Sequence, residues 1–238
     1  MYGLPEDLID HVHIMDKKYP SDKSKSTSFF SRVKQARELP EQDIIFDLTD
    51  SSLTLLLIFF SEAKLKIGYS YRTIRRMFYD ISILRSDFVI EAESVLHMLN
   101  MLGAKTTRAL QYGYDKKYPK NDRKQILYFA GAAMESKCWE KEKFKDLISK
   151  TSEVYRDYDH IILQGIKENE KFLEIYNPLK EHKNVKLQEA MDLDKTMQLL
   201  SDWKCVVSND TGVRNMAIAV NTPTKGIFLA PGAFKIGA

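Results

Sequence analysis

Between an apolar run and a helical stretch of small residues, the segment VVSNDTGVRNMAIAV (206–220) sets a carboxylate, a hydroxyl and a glycine in succession at Asp210-Thr211-Gly212. Asn, Asp and Thr satisfy the orphan amides of a helix start, so a capped turn accounts for these residue types without any ligand. The same seam also points free N–H groups into the crevice beyond a strand, where a ligand could be held. A second loop has this character. Phe129-Ala130-Gly131-Ala132-Ala133 closes an apolar run, and Lys137 and Trp139 follow before an amphipathic stretch. Small residues let a ligand approach the backbone, and a lysine in such a loop presents a point charge to a phosphate. An exposed Lys137 and a core Trp139 would explain the same residues.

Other chemistry-bearing patterns have simpler explanations. Asp192-Leu193-Asp194 has the acid-x-acid form of metal-dependent sugar transferases, but it stands before an apolar helical stretch, where an N-cap and a first-turn carboxylate suffice. His11 and His13 alternate as strand neighbours would, with no further ligands at metal spacing. We expect no metal and no cofactor. The Gly-x-Gly-x-x-Gly fingerprint of dinucleotide enzymes is missing, which counts against that class.

The elements that must position these loops follow from periodicity. Buried strands are expected at 43–48, 64–69, 125–129, 160–163, 184–187, 204–208 and 225–229, and helices at 53–63, 89–102, 141–155, 168–179, 193–200 and 213–220. Gly103 stops the second helix. The polar stretch 112–123, with Pro119 and Asn121, reads as a linker. Strands alternating with helices predict an α/β fold with parallel sheets. Gly131, Gly165 and Asp210 each follow an apolar strand, so all three are expected to ring one crevice at the carboxyl edge. Asp-Lys-Lys-Tyr-Pro occurs at 16–20 and 115–119 without flanking similarity, which does not establish a repeat.

The chain's 238 residues suffice for one large domain or two modest ones, and 44% hydrophobic with 29% charged residues is a globular balance. With 36 basic and 33 acidic residues the net charge of +3 is too slight to argue for nucleic acid, though compatible with visiting an anionic membrane surface. The basic clusters at 71–76 and at Lys116-Lys117 read as solvated faces. Cys138 and Cys205 belong to no metal spacing and suit a reducing compartment. The apolar run Leu53–Phe60 is short of the roughly 20 residues that cross a bilayer, and no signal pattern opens the chain. A soluble, cytoplasmic protein is expected.

Taken together, the loops resemble those of the glycosyltransferase family that includes the lipopolysaccharide heptosyltransferases. The resemblance rests on Gly131-Ala132, Lys137 and Trp139, Gly165 with Glu168 or Glu170, Asp210-Thr211-Gly212, Ala217 and Ala219, and Thr222-Pro223. In the first half, DIIFDLTDSSLTLLLIFFSEAKLKIGYS (43–70) is similar to the family's strand, helix and Ile-Gly-Tyr segment. It implies a GT-B fold, two Rossmann-like domains facing a cleft, here expected as an acceptor-side domain at 1–118 and a nucleotide-sugar domain at 119–238. The implied reaction is inverting transfer of a heptose-type sugar from an ADP-heptose-like donor to lipopolysaccharide core, with peripheral contact at the inner membrane. The resemblance implies that Lys137 faces the donor phosphates. Gly131 and Ala132 would lie beside the donor, Thr211 and Gly212 would give it hydroxyl and backbone donors, and Asp210 would bind sugar hydroxyls. Met191 would line the base pocket, and Glu168 or Glu170 would hold ribose hydroxyls.

The family's first strand and the loop with its base carboxylate have no counterpart, since the chain opens at Met1-Tyr-Gly-Leu-Pro5, and it stops at Gly237-Ala238 where the family continues. Truncation at both ends is therefore expected. The catalytic base is unknown, with Asp47 and Asp50 as weak substitutes. A family histidine is Asn215 here, and a Thr or Ser pair is Ala132-Ala133. The alternative is a sugar-nucleotide-binding remnant or fragment without transfer activity.

Overall fold

The computed structural model describes residues 9–13, 29–49, 52–69, 73–84, 91–105, 111–114 and 116–229. Asp50, Tyr71-Arg72, the pentapeptide at 16–20 and both chain ends lie outside the described residues. The chain divides into two compact units, Asp10–Arg108 and a second made chiefly of Ala109–Ala238. Both are α/β with parallel sheets, as the alternating pattern predicts.

The first unit holds helix α1 (Phe29–Arg37), strand β1 (Gln42–Asp47), helix α2 (Ser52–Phe60), strand β2 (Ala63–Tyr69), a 3₁₀ turn (Thr73–Phe78), strand β3 (Ile81–Ile83) and helix α3 (Glu91–Met101). Its sheet runs β1-β2-β3, all parallel. The core is Ile67, Tyr69 and Met98, each at most 1% exposed. At the carboxyl edge, Asp47 lies opposite Gly68 in register. A Cβ on Gly68 would sit 2.5 Å from Cζ of Tyr79, so the glycine leaves the ring its space. The Tyr79 hydroxyl in turn donates to Asp47 Oδ2 at 2.7 Å, while the amide and hydroxyl of Thr49 donate to Oδ1.

Three features differ from the sequence expectation here. Helix α1, the 3₁₀ turn and β3 are too short to show a period. Arg75 is buried rather than part of a solvated face, because residues three apart share one side of a 3₁₀ turn and Arg75 follows Phe78 inward while Arg76 stays exposed. His11 and His13 lie in no strand.

The second unit contains strand β4 (Arg123–Phe129), helix α4 (Lys141–Val154), strand β5 (Asp159–Leu163), helix α5 (Leu173–Tyr176), strand β6 (Val185–Gln188), helix α6 (Leu193–Asp202), strand β7 (Trp203–Asn209), helix α7 (Gly212–Ala219) and strand β8 (Thr224–Ile227). The spatial order is β6-β5-β4-β7-β8. The chain builds from β4 outward to β6 on one side and returns to lay β7 and β8 on the other, so the order reverses between β4 and β7. Leu127, Phe144, Ile148, Val206 and Ala217 are fully buried at the centre of its core. The expected helix at 168–179 is instead three short turns, 168–170, 173–176 and 177–179, because Gly165 N–H bonds Glu170 C=O and folds the first turn back, and Pro178 cannot donate inside a helix. Asp192 caps α6 by accepting from the Lys195 amide at 2.9 Å, and Asp194 accepts from the Tyr118 hydroxyl, which bears out the capping explanation of that acid pair. Among the described residues no helix is long and apolar enough to cross a membrane.

Two predictions follow from these packings. Tyr79→Phe removes a hydrogen bond to a buried carboxylate and should cost about 1.5–3 kcal/mol in urea unfolding; a cost near zero would show that Asp47 does not depend on it. The second concerns buried His160, whose Nδ1 lies 2.9 Å from Tyr128 Oη and whose Nε2 lies 3.2 Å from Tyr155 C=O. Burial holds the imidazole below its usual range and pushes the Tyr128 phenol up to about 12. Below about pH 6.5 the unfolded chain takes up a proton the folded imidazole resists, and above about pH 10 it releases one the folded phenol keeps. Stability should therefore fall on both sides of that window, and His160→Gln should flatten the acid limb measured by urea midpoints.

Candidate functional site

Residues at the reversal between β4 and β7 are joined by one side chain. Asn209, the last residue of β7, is fully buried. Its Nδ2 donates to the carbonyls of Ala130 (2.7 Å) and Gly131 (3.3 Å), and its Oδ1 accepts from the Trp139 amide at 3.1 Å. The loop after β4 is thus fastened to the end of β7 at both its start and its finish. Trp139 itself is half-buried and packs edge-on against Phe144, so its ring belongs to the core.

Fastening the loops sets their charges together. Lys137 Nζ and Asp210 Oδ2 pair at 2.7 Å, with the side chains only 25% and 12% exposed, so the pair is weakly screened. One residue on, Thr211 caps α7. Its Oγ1 accepts from the Arg214 amide at 3.3 Å and lies 3.0 Å from Ser208 Oγ. The first amides of α7 and the positive end of its dipole therefore face the sheet edge. Arg214 is turned away from that edge. It is 2% exposed, stacks over the Phe228 ring at 4.7 Å, and occupies space that a Cβ on Gly226 would close, 2.7 Å from its Nε. Burial lowers its guanidinium from the usual value, and the neighbouring Asp210 carboxylate and Tyr112 phenol work in the opposite direction.

A pocket of about 550 Å³ opens beside these loops, over the carboxyl ends of β4, β5 and β7. Ala132, Gly165, Met191, Thr211 and Gly212 line it, together with Glu170. Glu170 sits between the two strand-end glycines. A Cβ on Gly165 would meet Glu170 Cβ at 2.6 Å, and one on Gly131 would meet its Cγ at 3.2 Å. The carboxylate Oε2 accepts from the Lys167 amide at 3.3 Å. Apart from Glu170, Lys167, Gln164 and two threonines, the wall is apolar, with Phe129, Leu163, Ile166, Leu193, Val213 and Met216.

Of the residues singled out in the sequence, Ala132, Glu170, Met191, Thr211 and Gly212 come together on the pocket wall. Lys137, Asp210, Gly131 and Glu168 are not part of the lining; Lys137 and Asp210 pair with one another one residue before the lining Thr211, and Glu168 is exposed. Asn215 is also exposed, accepting from Arg214 Nη1 at 3.2 Å. In the first unit, Asp47 is buried with its carboxylate engaged by Tyr79 and Thr49. Sequence reasoning passed over Asn209 as one more capping residue and missed Arg214, Lys167 and Met216. For Asn209 a buried amide at a strand end was a usable signal; for the others none was.

The sequence model of the family described as "Glycosyltransferase family 9 (heptosyltransferase)" matches residues 32–231. Several solved structures share the fold. The chain is similar to the E. coli heptosyltransferase WaaC with ADP (18% identity, TM-score 0.71, covering 89% of this chain and 70% of that one). It resembles the same enzyme with ADP-2-deoxy-2-fluoro heptose (18%, 0.67, 83% and 65%) and the E. coli ADP-heptose lps heptosyltransferase II (17%, 0.59, 84% and 67%). The chain thus spans about two thirds of the length of these structures. No curated protein matches by sequence.

The clamp and the cap should separate on mutation. Asn209→Ala leaves the Trp139 amide and the Ala130 carbonyl without partners and should cost about 2–4 kcal/mol, whereas Thr211→Ala removes one cap and should cost about 1 kcal/mol. Equal urea midpoints for the two variants would contradict the clamp.

Proposed function

The chain belongs to glycosyltransferase family 9, the heptosyltransferases, and on that premise we propose that its second unit holds a nucleotide-activated sugar whose transfer leaves a nucleoside diphosphate. The observation that carries this reading is the 550 Å³ pocket at the strand-order reversal, with an apolar wall, a helix N-terminus, and the Lys137–Asp210 pair one residue before the lining Thr211. An apolar wall with a few convergent polar groups suits a base and ribose; in this reading Met191 serves the base and Glu170 the ribose, and both line the pocket. The donor is ADP-heptose-like, in keeping with the ligands of the solved relatives. The acceptor is lipopolysaccharide core, reached by peripheral contact with the inner-membrane surface.

In the transfer, an acceptor hydroxyl attacks the anomeric carbon from the side opposite the diphosphate. The new C–O bond forms as the bond to the β-phosphate oxygen breaks, and configuration inverts. Negative charge grows on the departing diphosphate. The Lys137 ammonium, the Thr211 hydroxyl and the leading amides of α7 are fixed before reaction and can meet that charge without reorganising. To do so Lys137 exchanges part of its bond to Asp210 for a phosphate oxygen, which frees the Asp210 carboxylate to accept from sugar hydroxyls. Ala132 and Ala133 offer methyls rather than hydroxyls, so the phosphates depend more heavily on Lys137. The acceptor proton goes to a base that none of these residues supplies. Asp47, already holding three hydrogen bonds, favours a second reading in which the chain binds the donor without transferring the sugar.

Calorimetric titration of the chain with ADP and an ADP-sugar tests the site. Wild type should bind both, and Lys137→Ala and Asp210→Ala should each weaken binding, the lysine variant by about ten- to a hundredfold. Folded wild type that binds neither ligand, or variants that bind as wild type does, would overturn the assignment. Binding without product when acceptor is supplied would select the second reading.

A further inference from the structure

Gln164, the residue after β5, stands in the pocket wall without a part in the transfer. It is 3% exposed, and Leu163, Ala190 and Met191 are its apolar companions in the lining. Its amide donates to the Gln188 carbonyl at 2.9 Å, which brings residues 189–191 alongside. A carboxamide buried at an apolar wall needs polar partners. One of its two orientations supplies them. Nε2 then donates to both oxygens of Glu189, at 3.2 and 2.9 Å, whereas the other orientation sets an oxygen against a carboxylate. Glu189 lies outside the lining with its side chain 70% exposed, and its Oε2 pairs with Lys171 Nζ at 3.5 Å. The sense of the buried carboxamide is therefore fixed by a charge outside the pocket. An amide free to turn over offers a donor or an acceptor to whatever meets it. Here the turn would break two charge-assisted bonds. What Gln164 keeps for a ligand is one acceptor, Oε1.

We infer that Gln164 selects the base of the nucleotide by accepting from an exocyclic amine, the 6-amino group of adenine, and that Glu189 is the positioning residue that fixes this choice. The inference rests on the donor site proposed above, in which Met191 serves the base; it adds which group on the base is read and by what. A base with a carbonyl in place of the amine would set oxygen against oxygen. Burial makes that mismatch count, because water cannot supply the missing hydrogen and the acceptor is left unpaired. Glu189 acts only through Gln164. Neutralising it would let the carboxamide turn over and would change which base is preferred, with no group on the pocket wall altered.

The test is calorimetric titration of the full chain with ADP and with inosine diphosphate, which carries a carbonyl where ADP has its 6-amino group. Wild type should bind ADP about tenfold more tightly than inosine diphosphate. Gln164→Leu, which keeps the bulk and loses the acceptor, should bring the ratio near one by weakening ADP. Glu189→Gln should bring it near one from the other direction. A neutral amide accepts as well as donates, so Gln164 can turn over, give Nε2 to the carbonyl and raise the affinity for inosine diphosphate. Glu189 is exposed, so this variant keeps the fold whether or not Gln164→Leu does. A gain of binding is also something that damage to the pocket does not produce. Wild type that binds both nucleotides equally, or a Glu189→Gln variant whose ratio stays at the wild-type value, overturns this inference and leaves the donor site standing. Wild type that binds neither nucleotide overturns the donor site and this inference with it.

Discussion

Asn209 carries the constraint on which the second unit's site rests. Where strand order reverses, the connections after the two central strands leave toward opposite sides of the sheet, and nothing in the β4–β7 ladder holds their loops together beyond the last ladder bond. The Asn209 carboxamide bridges that gap with three bonds, two to the start of the 130–139 loop and one to its end. Because the side chain is fully buried, water cannot compete for those bonds, and an unmade one would carry its full desolvation cost. Lys137 meets Asp210 because this bridge sets the separation of their loops.

The electrostatics build outward from there. Lys137 and Asp210 neutralise one another beside the start of α7, and Arg214, stacked on Phe228, adds a further positive charge near Asp210. Fixed cations and a helix N-terminus beside an apolar wall form a field that water screens weakly. Such a field is costly to assemble, and the Asp210 carboxylate offsets part of that cost. The glycines serve the same economy of space: Gly131 and Gly165 admit Glu170 to the wall, and Gly226 admits Arg214 behind it. Each removes a Cβ from a close approach rather than supplying an unusual backbone angle.

Much of this architecture is legible in the sequence. Seven strands and the helices at α2, α3, α4, α6 and α7 follow from runs of apolar residues with period two or near four, since burial of one face is a local property of the chain. Elements of three to nine residues with few apolar positions, such as β3 and α1, leave no such trace. The segment 168–179 misled because its helical spacing is real, while the bond from Gly165 that breaks it connects residues brought close only by the turn itself. Arg75 misled for a related reason: its burial depends on a 3₁₀ rather than an α repeat.

The sequence alone determined which loops follow buried strands, and hence that Gly131, Gly165 and Asp210 stand at one sheet edge, because the polarity of a parallel sheet places every strand's carboxyl end on the same side. It also determined that Thr211 starts a helix, because capping is settled within three residues. Only the tertiary structure decided that Lys137 pairs with Asp210, that Glu170 rather than Glu168 reaches the pocket, and that Arg214 is buried. Each of those depends on strand order and on the clamp at Asn209, contacts between residues tens of positions apart that no local pattern encodes.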